Sequence, residues 1–211
     1  MNHSNDEQSK PPILVWDWPV RVFHWSLAAC IFISFFTGES ERYSLLHQTL
    51  GYAAAGLLAF RVLWGFSGTR YARFSQFVQS PRAVLAYLKN IKQGVPGHDV
   101  GHNPVGGWAV VLLMLLAAAT AWTGWLIAPG DAPGWQEELH ELTANTLMIV
   151  VVIHVIGVIF SSRLHRENLV KAMLTGMKKG DPAQGISNSW WWLAVLLALA
   201  LIGFVFNQLQ V

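Results

Sequence analysis

The stretch HELTANTLMIVVVIH, residues 140–154, begins and ends with a histidine and contains no charged side chain after Glu141. It lies inside an apolar segment that runs from about Glu138 to Ser162. A helix needs about 20 mostly apolar residues to cross the hydrocarbon core of a membrane. The segment therefore predicts a transmembrane helix that carries one histidine near each membrane surface.

Four further segments have the same apolar character. They run from about Pro19 to Gly38, from Leu45 to Phe66, from Val105 to Ala128 and from Trp190 to Phe206. The 211-residue chain is 53% hydrophobic and only 12% charged, about half the charged fraction of a soluble domain, and its mean hydropathy is +0.38. We predict an all-α membrane protein, built from a four-helix transmembrane bundle and a fifth, C-terminal transmembrane helix.

The lysines and arginines indicate how these spans are oriented. Five spans place thirteen of the 14 basic residues on the side of the N-terminus and leave only Arg42 on the other side. Because cytoplasmic loops carry the excess of positive charge, we expect a cytoplasmic N-terminus and an external C-terminus. The N-terminal segment is polar and lacks the basic start and the cleavage site of a signal peptide. The first helix is therefore expected to remain in the mature protein.

The predicted spans divide the chain into segments. These are a cytoplasmic N-terminal segment (1–18), a four-helix core (19–162) with a cytoplasmic connection (67–104), a cytoplasmic amphipathic connection (163–189) and the fifth helix (190–211). In the first connection, Ser80 and Pro81 predict the start of a helix and Gly94 predicts its end. We expect this helix and the basic segment Leu164–Lys179 to lie on the lipid surface. A nucleic-acid partner is not expected, because these charges flank membrane spans.

Four histidines lie within or at the ends of the predicted spans, where ionisable residues are costly and indicate function. His140 and His154 are fourteen residues apart, which is nearly four helical turns, so they share one face at depths that differ by about 21 Å. His24 lies one turn into the first helix, and His47 begins the second helix at the opposite surface. By depth, His24 pairs with His154 and His47 pairs with His140.

Paired imidazoles at one depth can ligate a haem iron from both sides, which gives a six-coordinate centre suited to electron transfer. We therefore predict two haem b groups per chain, an inner one at His24 and His154 and an outer one at His47 and His140. Two alternatives stay open. The histidines could be polar residues satisfied at an interface, or they could bind zinc or copper, although no carboxylate or thiol accompanies the pairs at mid-membrane depth. The single cysteine, Cys30, excludes covalent CxxCH haem attachment.

Haem propionates are anions and need cationic or hydrogen-bonding partners. Arg21, one turn before the first histidine, and Arg61, at the cytoplasmic end of the second helix, are the candidates for the inner haem. The alternative role for each arginine is to reach lipid phosphate. Gly51, Gly56 and Gly124 could admit either a porphyrin or a neighbouring helix.

Four short motifs form a distinctive set: VWDWPVRVFHW at 15–25, RVLWG at 61–65, YARF at 71–74 and GHNP at 101–104. They resemble the bacterial di-haem cytochromes b of the cytochrome b561 and nickel–iron hydrogenase b-subunit superfamily, over roughly residues 15–162. The resemblance implies two haem b groups with the same histidine pairing. It also implies electron exchange with membrane quinone and with a partner redox protein, either a c-type cytochrome or a hydrogenase-like subunit. The hydrogenase-type members have a fifth helix, which the segment from Trp190 to Phe206 would match, although it carries no motif of its own.

Three functions remain open at this point. The first is electron transfer between the quinone pool and the partner protein, as a subunit of a larger oxidoreductase system. The second is an autonomous enzyme that oxidises superoxide or another small reductant and reduces quinone, although an outer face with one basic residue attracts anions poorly. The third is a transporter or proton channel with a histidine relay. In each case we expect a multi-pass protein of the bacterial inner membrane, and a homodimer is left open.

Quinol oxidation releases protons, so a quinone site needs a group that accepts them. Asp17 and His102 on the inner side and Glu141 on the outer side are candidates, and each could equally be a cap, loop or surface residue. His98 and His102 lie in a stretch rich in proline and glycine, so a metal site there is not expected. His165 is expected on the surface.

Overall fold

Five long helices dominate the structure, a computed structural model that describes residues 10–95, 97 and 99–210. Each is long and apolar enough to cross a membrane. They are α1 (Trp18–Thr37), α2 (Ser44–Ser67), α5 (Pro104–Ile127), α6 (Gly134–Leu164) and α8 (Trp191–Leu209). The prediction of an all-α membrane protein with five spans is confirmed. The fourth span, α6, begins four residues earlier than predicted, directly after Pro133.

The first four long helices form the bundle. α1 packs against α2, α2 against α5, and α5 against α6. Direct packing between α1 and α6 is slight among the described residues, so the two helices leave room between them. α8 packs against α1 and α2 and therefore lies outside the four-helix arrangement. We call the end of the bundle where α1 begins the basic end and the opposite end the acidic end, after the charges of their connections.

Three helices that begin at the basic end start in the same way. In each, a polar N-cap side chain accepts a backbone hydrogen bond and proline occupies the first turn, which pre-organises the helix. The N-caps are Asp17 for α1, Ser80 for α4 (Pro81–Lys92) and Asn103 for α5. The predicted helix after Ser80 is thus present. A single short turn, α3 (Phe74–Phe77), precedes it.

A small cap covers the basic end, and the sequence did not predict it. Strand β1 (Pro12–Leu14) pairs antiparallel with β2 (Met177–Lys179), next to the short helix α7 (Leu169–Thr175) and a 3-10 turn (Pro182–Gln184). We call these four elements the basic-end cap. Gly176 joins α7 to β2 with φ +81°, and a Cβ there would lie 2.6 Å from the carbonyl oxygen of Trp16. That position therefore requires glycine.

Candidate functional site

The imidazole rings of His47 and His140 face each other at the acidic end of the bundle. Their ring centres are 6.1 Å apart and their planes are 87° apart. A metal ion lies about 2.0 Å from an imidazole nitrogen and that nitrogen lies about 1.1 Å from its ring centre, so two imidazoles on opposite sides of one metal have centres about 6.2 Å apart. The spacing of this pair therefore fits one six-coordinate metal between the two rings.

Hydrogen bonds fix which ring nitrogens face the gap. Nδ1 of His47 lies 2.9 Å from the carbonyl oxygen of Ser34 in α1. Nδ1 of His140 lies 3.1 Å from the carbonyl oxygen of Thr120 and 3.0 Å from the hydroxyl of Thr123, both in α5. Because a carbonyl only accepts, each Nδ1 carries the proton and each Nε2 keeps its lone pair for a metal. Metal-ligating histidines characteristically have this arrangement.

Glycines give both rings of this pair the space that they occupy. A Cβ at Gly38 would lie 3.3 Å from Cε1 of His47, and a Cβ at Gly124 would lie 3.0 Å from Cε1 of His140. Gly124 therefore makes room for a side chain of the neighbouring helix α6, which is one of the two roles predicted for it. Among the described residues, nothing lies within 4 Å of a Cβ built at Gly51 or Gly56, so none of them brings a neighbouring helix against either glycine.

The second pair, His24 on α1 and His154 on α6, lies towards the basic end. The two side chains are close enough to interact electrostatically, and both are partly buried. Nδ1 of His24 is buried without a hydrogen-bond partner in the described part of the chain. The structure thus brings His47 close to His140 and His24 close to His154, the same two pairs that the sequence predicts by depth.

Two buried arginines lie towards the same end of the bundle. Arg61 is only 3% exposed, and its Nη1 has no partner among the described residues. Its guanidinium lies over the rings of Phe74 and Phe77, at 5.1 and 5.6 Å. Arg21 donates to the carbonyl oxygen of Leu174 in the basic-end cap, and its Nε is likewise unpartnered in the described chain. Asp17 is close enough to Arg61 to interact with it electrostatically, but Nη1 of Arg61 and Nε of Arg21 have no hydrogen-bond partner in the described chain, so each arginine leaves a donor available.

His102 is the residue that sequence reasoning undervalued. It lies in a loop, as predicted, but its ring is packed between Trp16 at 4.7 Å and Phe77 at 4.9 Å. Burial lowers the pKa of His102 to about 3, and the positive charges of Arg61 and Lys178 act in the same direction. Its predicted neighbour His98 lies outside the described residues. The GHNP motif was the available signal, but its glycine and proline pointed only to a loop.

The other predicted polar candidates have different surroundings. Asp17 is fully buried and accepts hydrogen bonds from the backbone of Val20, the indole of Trp64 and the hydroxyl of Thr69. Glu141 is exposed. His165 was expected on the surface and is instead partly buried, with Nε2 3.1 Å from the hydroxyl of Tyr87, because the end of α6 packs towards α4.

Comparison with known proteins identifies the family. Residues 15–176, more than half of the chain, match the family described as prokaryotic cytochrome b561. The chain belongs to this family. As a prokaryotic cytochrome b561 it is a multi-pass membrane cytochrome of electron transport, and its cofactor is haem b. No solved structure matches the chain.

The curated relatives include proteins named for a larger complex. A "Probable Ni/Fe-hydrogenase B-type cytochrome subunit" of Bradyrhizobium diazoefficiens is 23% identical, over 81% of this chain and 87% of the relative. Cytochrome b562 of Cereibacter sphaeroides is 26% identical, over 64% of this chain and 97% of the relative. A "Probable Ni/Fe-hydrogenase 1 B-type cytochrome subunit" of Escherichia coli K12 is 26% identical, over 54% of this chain and 59% of the relative.

The side chains of this cytochrome b561 fit haem better than a protein-only metal site. Among the described residues, no three or more histidine, cysteine, aspartate or glutamate side chains come together. Zinc and copper sites need at least three such ligands. Two imidazoles are enough for haem iron, because the porphyrin supplies the remaining four ligands.

Proposed function

We propose that the protein is a di-haem cytochrome b that carries electrons across the membrane between the quinone pool and a partner redox protein. The observation that carries this proposal is the pair His47 and His140, whose ring spacing of 6.1 Å would let both imidazoles bind one haem iron. Both Nδ1 atoms are held by carbonyl oxygens, which leaves both Nε2 atoms for the metal. Bound haem would supply one-electron chemistry, and the imidazoles from both sides would exclude other ligands from the iron.

Two pairs of histidines would hold two haems. His24 and His154 would ligate the inner haem, and His47 and His140 would ligate the outer one. Their separation along α6, about 21 Å, supports one haem near each membrane surface. Arg21 and Arg61 would bind the propionates of the inner haem, since their buried nitrogens Nε and Nη1 have no partner in the described chain.

The orientation follows from the distribution of charge. Thirteen of the 14 lysines and arginines belong to the basic end, which we place in the cytoplasm of a bacterial cell, with the protein in the inner membrane. The C-terminus would then be periplasmic. Fusing alkaline phosphatase or a fluorescent protein to the C-terminus tests this orientation. Phosphatase activity without fluorescence is expected, and the opposite result would reverse the assignment of both ends.

The partner protein would dock on the acidic end, next to the outer haem. The relatives named as hydrogenase subunits support a hydrogenase-like subunit, and a c-type cytochrome is the other class. This end of the bundle carries six carboxylates against one arginine, Arg42. Three carboxylates lie in the connections (Glu39, Glu41 and Asp131) and three in the first turns of α6 (Glu137, Glu138 and Glu141). Charge complementarity favours a partner with a basic contact surface. The same charge disfavours superoxide as a direct substrate.

The deciding experiment counts haems in the purified protein. The reduced-minus-oxidised spectrum should show a b-type band, with two haems per chain by pyridine haemochrome. The variants His47→Ala and His24→Ala should each retain one haem, whereas the control His165→Ala should retain both. A colourless protein would refute electron transfer, and loss of both haems or of neither in the two variants would refute the pairing. Quinone reduction by superoxide without any partner would favour the autonomous enzyme.

A further inference from the structure

Besides Nδ1 of His24, three buried nitrogen atoms at the basic end lack hydrogen-bond partners in the part of the chain that the structure describes. They are Nε of Arg21, Nη1 of Arg61 and Nδ1 of His102. Buried polar groups in native proteins are nearly always hydrogen-bonded, so each exception needs an explanation. The first two belong to residues that the sequence assigns to the haem propionates, and the third has no role so far.

The position of His102 relates it to the inner pair of histidines. Its electrostatic neighbours are Arg61 and Lys178 first, followed by His154 and His24. Trp16 and Phe77 hold its ring from two sides, so that the ring has little freedom to turn towards another partner.

The solvent does not supply the missing partner. A polar cavity of about 240 Å³ reaches His102 from the surface, with Arg70, Tyr71, Asp99 and Gln184 also in its lining. Nδ1 of His102 is nevertheless buried from solvent, so a water molecule in this cavity does not reach it. A partner on the interior side of the ring would explain why Nδ1 has none among the described residues.

The charges around His102 favour an anion as that partner. Lys178 is already occupied by Glu167, 3.0 Å away, and by the carbonyl oxygen of Asp99, while Arg61 keeps an unpartnered nitrogen. Asp17 and Glu167 offset part of the charge of Arg61 and Lys178, but the unpartnered Nη1 of Arg61 still lacks an acceptor, and a carboxylate would supply one. Because its pKa is low, His102 is neutral and offers one N–H donor.

We propose that His102 donates a hydrogen bond from Nδ1 to a propionate of the haem held by His24 and His154. It is a positioning residue that completes the propionate site of Arg21 and Arg61. This inference rests on the proposed di-haem function. It adds a residue from the connection between α4 and α5, so that the loop carrying GHNP is tied to the inner haem.

Redox titration of the intact protein tests the assignment. His102→Phe keeps the ring between Trp16 and Phe77 but removes the donor, and a less compensated propionate stabilises ferric iron. The ratio of reduced to oxidised inner haem at a fixed potential should fall about threefold, with the outer haem unchanged. His102→Asn should restore the original ratio, because its amide nitrogen lies where Nδ1 does. The control His165→Phe should change neither haem.

Each outcome decides for or against the assignment. If His102→Phe binds both haems at their original potentials, or if His102→Asn shifts the inner haem as much as His102→Phe does, His102 only packs and the proposal fails. If His102→Phe does not accumulate with both haems, His102→Gln replaces it, since glutamine places its amide at Nε2. A change in the potential of the inner haem in His102→Gln but not in His102→Asn supports the proposal. Equal inner-haem potentials in these two variants refute it. Wild-type protein without two b haems would instead refute the di-haem function itself.

Discussion

The carboxylate of Asp17 accepts a hydrogen bond from the indole nitrogen of Trp64 at 3.1 Å, which ties the start of α1 to the end of α2. The same carboxylate caps α1 through the backbone of Val20 at 2.8 Å and accepts the hydroxyl of Thr69 at 2.6 Å. It is completely buried. Asp17 therefore links the two helices that carry His24 and His47, and all of its described bonds serve the fold.

Asp17→Asn should destabilise the protein by about 2–3 kcal/mol, because the amide nitrogen would face two donors that the carboxylate satisfied. The measurement is thermal unfolding in detergent, followed by the loss of the haem Soret band. Asp131→Asn is the matched control, since Asp131 is exposed in the connection before α6. Equal midpoints for the two variants would contradict the structural role of Asp17.

The angle between the rings of His47 and His140 predicts a spectroscopic signature. Perpendicular imidazole planes leave two iron d orbitals nearly equal in energy, and the planes here are 87° apart. The ferric outer haem should therefore give a highly anisotropic low-spin EPR signal. His24→Ala, which should hold the outer haem alone, assigns the signal. A strongly rhombic spectrum from that variant would contradict the ring arrangement.

The long helices could be predicted because their sequences carry few charges over the width of a membrane. The depth grouping of the histidines could be predicted for a related reason: fourteen residues on one helix fix both a face and a distance. These are local rules. They apply to residues such as His140 and His154 without knowledge of any contact.

The basic-end cap and the burial of His102 could not be predicted in this way. β1 and β2 each contain three residues, which is too short for alternation to be recognised. Their pairing joins residues about 165 positions apart, such as Ile13 and Lys178, and depends on the bundle, which brings the start of α1 close to the end of α7. His102 is buried only because Trp16 and Phe77 come from two other elements.

Thr123→Val should raise the potential of the outer haem. The Thr123 hydroxyl lies 3.0 Å from Nδ1 of His140, and an acceptor on Nδ1–H makes the imidazole a stronger donor to ferric iron. Loss of this acceptor should raise the ratio of reduced to oxidised outer haem about threefold, which corresponds to a potential about 30 mV higher for one electron. Thr146→Val is the control, because that hydroxyl bonds only the carbonyl oxygen of Leu142 within its own helix. An unchanged outer potential, or a shift of the inner haem, would contradict the assignment.

Gly124→Ala should lower the occupancy of the outer haem. The added methyl group would lie 3.0 Å from Cε1 of His140, a distance at which the ring must move away from the iron position that His47 shares. Gly203→Ala on α8 is the control, since nothing lies within 4 Å of a Cβ there. Both changes replace glycine by alanine within a helix and gain about 1 kcal/mol of helix propensity, so propensity does not separate them.

The haem-to-protein ratio measured after purification distinguishes the two glycine variants. Gly203→Ala should keep both haems and unfold at the same temperature as the wild type or higher. Gly124→Ala should lose part of the outer haem alone, because His24 and His154 lie at the other end of the bundle. Full occupancy of the outer haem in Gly124→Ala, with an unchanged EPR signal, would mean that the His140 ring can accommodate the added methyl group without moving. An equal loss of both haems would mean that the methyl group disturbs the helix packing and not the histidine.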